Sequence, residues 1–275
     1  MRYKEVEHSI IKKYRKQIWS KFLRALETYE LIEEGDKVAV CISGGKDSFI
    51  LAKCIQEAIL HGKVKFTAEY IAMNPGYNKE NLECLLKNAE DLNIPLTVFD
   101  APIFGYVSTQ ESNPCYVCAR MRRGYLYEKA KSMGCNKIAL GHHADDVVET
   151  TLMGMFYNSE ITAMRPKLKS LNFEGMELIR PLYLVKERDI IAWVKHNDLH
   201  FLNCACPLAE KTALEEKVSK RKEVKEIIAH LKKDNPDIDE AIFRSIHNVN
   251  MGTMVAWRKD GVHHTFLENY ENEKE

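Results

Sequence analysis

Apolar side chains return every three or four residues at Val6, Ile10, Tyr14, Ile18, Phe22, Leu26 and Tyr29, so the spacing predicts one amphipathic helix over residues 3–30. Glu33-Glu34-Gly35-Asp36 reads as the turn that ends it. The pattern then changes: Val38–Ile42 is an unbroken apolar run, as expected of a strand buried on both faces. Helical periodicity runs from Phe49 to Leu60, and Phe66–Met73 predicts a second strand closed by Asn74-Pro75-Gly76. Residues 78–92 return to a helical period, Leu96–Phe99 and Lys137–Gly141 to strands, and 144–157 to a helix. Strands alternating with helices of this length predict βαβ units, hence an α/β fold with a parallel sheet covered on both faces. Beyond residue 160 the signal changes. Residues 164–183 suggest a hairpin or a loop, 186–199 a helix, 212–257 helix throughout except at Asn235-Pro236, and 268–275 an acidic, frayed end. The expected organisation is an N-terminal helix at 1–35, an α/β domain at 36–200 and a helical C-terminal region at 201–275.

Composition narrows the function classes. Forty basic residues balance forty acidic ones, so the formal net charge is zero and nucleic acid cannot be held by the overall field. Any RNA site must be a local basic patch. No stretch approaches the roughly 18–20 consecutive apolar residues that span a bilayer, and the charged start lacks the apolar core of a secretory signal. Eight cysteines scattered over 275 residues are too sparse for a disulfide scaffold. The expected location is the cytoplasm, where thiols serve metal, sulfur or redox chemistry.

Ser43-Gly44-Gly45-Lys46-Asp47-Ser48 lies between a buried strand and a helix, where open α/β sheets bind anions. The glycines bring bare N–H groups toward a phosphate, Ser43 and Ser48 add hydroxyls, Lys46 adds charge, and the helix adds its N-terminal dipole. The spacing is not that of a Walker A loop. A second polar string, Gly141-His142-His143-Ala144-Asp145-Asp146-Val147-Val148-Glu149-Thr150, also opens a helix. Its carboxylates can be capping groups or, with the histidines, metal ligands. Cys115 and Cys118, three residues apart, can face one metal or cluster or form a disulfide, and Cys204 and Cys206 supply further thiols. Cys41, Cys54, Cys84 and Cys135 read as small buried hydrophobes.

Ser43–Ser48 resembles the PP-loop of the ATP-pyrophosphatases, which split ATP into AMP and pyrophosphate. The resemblance implies that Ser43, Gly44, Gly45, Lys46, Asp47 and Ser48 bind ATP, that Lys46 neutralises developing charge and that Asp47 holds Mg²⁺. Gly141–Thr150 resembles the second ATP element of PP-loop enzymes that modify tRNA. It implies nucleotide contacts at Gly141 and His142, and a catalytic aspartate at Asp145 or Asp146. Pro114-Cys115-x-x-Cys118-Ala119-Arg120-x-Arg122-Arg123-Gly124-x-Leu126-Tyr127 is similar to the signature of the tRNA 2-thiocytidine synthases. Members bind a 4Fe–4S cluster through three cysteines, leaving one iron free to take up sulfur. The implied ligands here are Cys115, Cys118 and Cys206, with Cys204 the rival. The chain departs from the group's C-x-x-C-G string at Cys204-Ala205-Cys206-Pro207. It also lacks the further cysteine pairs of the zinc modules common in the 2-thiouridine branch. Arg120, Arg122 and Arg123 are the expected RNA contacts. The lysines of 217–225 alternate with Glu215, Glu216, Glu223 and Glu226, as on a solvated helix face. The implied activity is ATP-dependent tRNA thiolation of an anticodon-loop cytidine, with sulfur from a cysteine desulfurase or sulfide, in a homodimer. The alternatives are a cluster-free PP-loop ligase or amidating synthetase, and a cluster-carrying sulfur carrier or redox protein.

Overall fold

The computed structural model describes residues 2–107, 114–202, 220–268 and 270, with the backbone alone at 114–116. The described chain divides into two compact units, residues 1–225 and 226–275. No described helix is long and apolar enough to cross a membrane.

The first unit is built on a six-stranded sheet in the order β3-β2-β1-β4-β6-β5. Its strands are β1 (Lys37–Cys41), β2 (Thr67–Asn74), β3 (Leu96–Asp100), β4 (Lys137–Ala139), β5 (Lys167–Lys169) and β6 (Glu177–Ile179). All pairings are parallel except β5 with β6, which form a hairpin, one of the two alternatives open for 164–183. Val38, Ala39 and Val40 of β1 are wholly buried, as an unbroken apolar run requires of a central strand. Val38 and Val40 face one core, Ala39 and Cys41 the other, following the two-residue period of a strand.

Helices α1 (Arg2–Ile11), α2 (Ser20–Thr28), α3 (Lys46–His61), α4 (Lys79–Asp91) and α8 (Glu187–His196) contribute to the first core. Helix α6 (Pro114–Ser132) covers the opposite face through Tyr127 and Ala130, packed with Ile138 and Leu178. A short helix α5 (Ile103–Val107) and Met73 surround the buried Cys118. Between β4 and β6, α7 (Ala144–Asn158) completes the layers. Because each crossover helix returns from the carboxyl end of one parallel strand, α3, α6 and α7 all begin at that one edge of the sheet.

The predicted helix 3–30 is two helices joined by a wide π-type turn at Arg15–Trp19, where Trp19 N donates to Tyr14 O, five residues back. The extra residue lets the adjacent Ile18 and Trp19 both turn inward beside Phe22, which a regular helix cannot do as well. The C-terminal pattern also differs from expectation. Helix α9 (Lys220–Leu231) and helix α10 (Ile238–Ser245) are followed by an antiparallel hairpin, β7 (Ala256–Lys259) and β8 (Val262–Thr265), and 246–257 holds only a single 3₁₀ turn at Met251–Thr253 in place of the expected helix. Its turn is Asp260-Gly261, both at positive φ, which is the backbone a tight hairpin needs. Cys41, Cys54 and Cys135 are buried as expected, whereas Cys84 is half-exposed.

Candidate functional site

Five buried side-chain atoms without a hydrogen-bond partner among the described residues gather near the carboxyl edge of the sheet: Asp47 Oδ1, His142 Nδ1, Glu149 Oε2, Thr150 Oγ1 and Arg180 Nε. Buried polar groups are ordinarily paired, so an edge that leaves this many short of partners is built for a ligand. The opposite edge is closed: buried Lys137 reaches Asp36 at 2.7 Å and the Leu31 carbonyl at 3.1 Å.

The first component is the loop from β1 to α3. Gly44 holds φ at +92°, a conformation that only glycine enters without strain, and a side chain there would strike Leu202. Leu202 N donates to Gly44 O at 3.1 Å. Gly45 precedes α3 in extended conformation, and no side chain caps the helix. Its first turn therefore presents backbone donors and the positive end of the dipole to an anion. Ser48 braces the loop from within, accepting from Ser43 N at 3.2 Å and donating to Gly45 O at 2.8 Å.

Lys46 is held between Asp47 Oδ2 at 3.1 Å and Glu187 Oε1 at 2.8 Å. Burial opposes the lysine charge, but these two carboxylates outweigh it and raise the pKa. Asp47 goes the other way: burial raises its carboxyl more than His143 and Lys46 lower it. Burial also works against ionised Glu187, yet the hydrogen bond and charge of Lys46, with His143 and Lys225, bring it down to about 2.

The second component opens α7. His143 caps the helix in a reciprocal arrangement, its backbone N donating to Asp146 Oδ2 at 3.0 Å while Asp146 N approaches His143 Nδ1 at 3.4 Å. Asp145 accepts from Glu187 N at 2.7 Å, which ties the start of α7 to the start of α8. Gly141 makes the two ATP-loop candidates one site. A Cβ there would lie 2.9 Å from the carbonyl carbon and oxygen of Asp47, so the backbones touch where only glycine fits. His142 follows on the same strand end, its imidazole kept neutral by burial and then by Arg180, with the pKa brought down to about 4.

Of the expected site residues, the structure brings Ser43, Gly44, Gly45, Lys46, Asp47, Ser48, Gly141, His142, Asp145 and Asp146 together. Cys115 and Cys118 stand one turn apart in the first turns of α6. Cys118 is buried beside Met73 at the end of β2, on the same sheet edge. Arg120 and Arg123 are exposed on α6 and Arg122 is half-buried. Cys204 and Cys206 lie outside the described residues, and among those described no three His, Cys, Asp or Glu side chains form a metal-ligand group.

Sequence reasoning missed four participants. Arg221 of α9 reaches Asp146 at 2.9 Å and Glu149 at 3.6 Å, and Lys225 reaches Glu149 at 3.5 Å and Glu187 at 3.2 Å. These two cations therefore bind the site's carboxylates, where the sequence predicted a solvated face paired with its own helix. Glu187 and Arg180 belong to no motif, and only the fold brings them to Lys46 and His142.

Residues 14–206 match the model of a PP-loop domain. A tRNA-cytidine(32) 2-sulfurtransferase of Geobacter metallireducens is 34% identical, over 86% of this chain and 91% of that protein. One from Vibrio parahaemolyticus is 37% identical, over 82% and 75%. The structure is also similar to the U34-tRNA thiolase NcsA from Methanococcus maripaludis with its [4Fe-4S] cluster, at a TM-score of 0.66 and 21% identity over 87% of this chain and 80% of that one. This last likeness bears on the fold.

Proposed function

Since the chain belongs to the PP-loop family, in its branch of tRNA-cytidine 2-sulfurtransferases, we propose that it uses ATP to activate the C2 oxygen of a tRNA cytidine and exchanges that oxygen for sulfur. The observation that carries this reading is the backbone contact of Gly141 with Asp47, which fuses an uncapped helix N-terminus and an acidic second loop into one nucleotide site. Relatives named for position 32 point to cytidine 32 as the target.

The loop Ser43–Ser48 would hold the β- and γ-phosphates through its backbone donors, with Lys46 at the charge that develops as the α–β bond breaks. Attack of the C2 oxygen on the α-phosphate releases pyrophosphate and leaves AMP on that oxygen. Sulfur at the oxidation level of sulfide then adds at C2 and AMP departs with the original oxygen, so no net redox change is needed. Asp47, a half-buried carboxylate whose buried Oδ1 lacks a hydrogen-bond partner among the described residues, fits a Mg²⁺ ligand on the phosphates, and Asp145 or Asp146 serves the catalytic role. Gly141 and His142 flank the nucleotide.

Cys115 and Cys118, spaced for one face at the start of α6, with Cys206 or Cys204, are a thiol donor set suited to a 4Fe–4S cluster. When bound, such a cluster supplies a site from which sulfur can be delivered. A helix N-terminus favours the thiolate form of its cysteines, which suits both ligation and sulfur chemistry. Arg120, Arg122 and Arg123 follow on the same helix as RNA phosphate contacts. A desulfurase or sulfide would provide the sulfur, and two copies would form the working dimer.

The test is anaerobically purified protein incubated with ATP, sulfide and tRNA, read by pyrophosphate release and by mass spectrometry of the nucleosides. The expected product is 2-thiocytidine, lost in Asp47→Asn. Iron and sulfide content is measured alongside in Cys115→Ala, Cys204→Ala and Cys206→Ala. A colourless, reconstituted wild type that still releases pyrophosphate would overturn the cluster and favour a cluster-free PP-loop ligase.

A further inference from the structure

Arg180 follows β6 directly, and its neighbour along the sheet edge is the end of β4, where Leu140 N donates to Ile179 O at 3.0 Å. The carboxyl edge therefore presents, strand by strand, the phosphate loop after β1, His142 after β4 and Arg180 after β6. Arg180 is only 7% exposed. One of its nitrogens, Nη1, donates to the Arg165 carbonyl, while Nε is buried without a partner among the described residues. Among those residues no carboxylate stands within ion-pair distance of it. Burial, then the charge of Arg123, lowers its pKa to about 10. A guanidinium kept in that position is costly to the free protein, and a ligand rich in acceptors would relieve the cost.

His142 follows the neighbouring strand β4, near enough for the charge of Arg180 to disfavour its own. Its Nδ1 is likewise buried and without a partner among the described residues. In the tautomer carrying hydrogen on Nε2, a neutral imidazole offers Nδ1 as an acceptor. The pair thus combines strong donors with one acceptor, whereas Lys46 of the phosphate loop is already engaged by Asp47 and Glu187. Of the two substrates of the proposed function, the one beyond the phosphate loop is the base.

Cytosine presents an amino donor at N4 beside an acceptor at N3. Uracil reverses both, with an acceptor at O4 and an N–H at N3. We propose that Arg180 and His142 form the pocket that receives the target base and selects cytosine, Arg180 donating to N3 and His142 Nδ1 accepting from the N4 amino group. Arg123, exposed on α6 and near enough for its charge to act on Arg180, suits the backbone phosphate beside the extruded nucleotide. A uracil in the same place would set its N–H against the guanidinium and its O4 against the imidazole lone pair. Both clashes occur in a desolvated pocket, where mismatched polar groups discriminate strongly.

This inference rests on the proposed thiolation, and the experiment separates the two. Wild type, Arg180→Lys, Arg180→Gln and His142→Asn are compared with tRNA carrying cytidine or uridine at position 32. The readouts are pyrophosphate release, RNA binding by fluorescence anisotropy, Mg-ATP affinity and thermal melting. Arg180→Lys keeps the charge but loses the planar fork. It is expected to lose about 10- to 100-fold in kcat/KM for the cytidine tRNA, the value of a hydrogen bond from a charged donor, with ATP affinity unchanged. The preference for cytidine over uridine should fall by at least about tenfold in the Arg180 and His142 variants. Melting alone lowered, with rate and preference intact, would make Arg180 a brace for the Arg165 loop and overturn the pocket. Should both Arg180 variants fail to fold, His142→Asn decides by the same preference ratio. A wild type that never yields thiocytidine would sink the proposed function, whereas loss of its cytidine-selective binding in the variants would still uphold the pocket. Equal binding of both RNAs by wild type would overturn it.

Discussion

Asp47 and Glu187 share one lysine and sit in opposite electrostatic conditions. Asp47 is half-buried, with one buried oxygen lacking a hydrogen-bond partner among the described residues, and desolvation raises its pKa above the usual carboxylate value. For an acid raised in the folded state, the stabilising contribution exists below the unfolded pKa and disappears as pH rises through the folded one. At neutral pH the carboxylate is therefore a cost that the free protein carries until a cation arrives. Asp47→Asn is expected to raise the melting temperature of the nucleotide-free protein by about 2 °C, while abolishing tRNA-dependent pyrophosphate release. Calorimetry and a pyrophosphate assay on one preparation check both halves; a lower melting temperature would mean that the Lys46 pair outweighs the burial cost. Glu187 has the reverse sign. Its pKa falls from 4.5 to about 2 on folding, so it stabilises fully above about 4.5 and loses that contribution as pH falls toward 2. Glu187→Gln should melt lower than wild type at neutral pH, with the gap closing as the buffer is taken below about pH 4. A gap independent of pH would show that the Lys46 and Lys225 pairs are not what Glu187 contributes.

At the scale of elements, the site is made by helix starts, and one glycine sets their spacing. Gly141 has a backbone neighbour where a Cβ would go, and the Asp47 carbonyl cannot move without shifting the first turn of α3. Gly141→Ala should cost about 1–3 kcal/mol, the usual range for overpacking against an ordered core, and weaken ATP binding by at least about tenfold. Melting and nucleotide titration test this; an alanine variant with native ATP affinity would show that the two loops are not held in register by that contact. The motifs of both loops were legible in the sequence because a strand, a glycine and a helix start follow one another within a few residues. Strand β1 was legible too, since the central run Val38–Ile42 must be apolar on both faces. The π-type turn at Arg15–Trp19 was not, because a three-to-four spacing absorbs one extra residue without a visible break. The hairpin at 256–265 was missed for a different reason. Trp257-Arg258-Lys259 and Val262-His263-His264 are largely exposed, so no apolar alternation marks them, and Asp260-Gly261 is the whole signal.

Across the whole molecule, charge balance constrains how a polyanion can be recognised. Forty positive and forty negative residues leave no net attraction, and Arg221 and Lys225, prominent in the sequence, are already engaged by Asp146, Glu149 and Glu187. This pairing was illegible beforehand because its partners lie on α7 and α8, far away in the chain, while the helix carries plausible glutamates of its own. With those cations engaged, the exposed Arg120 and Arg123 of α6 are the proposed phosphate contacts. RNA affinity should then depend on salt only weakly for a tRNA enzyme, because few phosphates are neutralised. The slope of log affinity against log salt is expected near −2 to −4, at about −0.7 to −0.9 per phosphate contact. Arg120→Ala and Arg123→Ala should each reduce its magnitude by about one contact and weaken binding of cytidine and uridine tRNAs alike, since phosphate contacts position without reading sequence. Arg221→Ala should leave the slope unchanged, because a guanidinium paired with two carboxylates releases no counterion from RNA. A steep slope that Arg221→Ala flattens would place the RNA on α9 instead of α6, and would mean that the ion pairs at Asp146 and Glu149 open when the substrate docks.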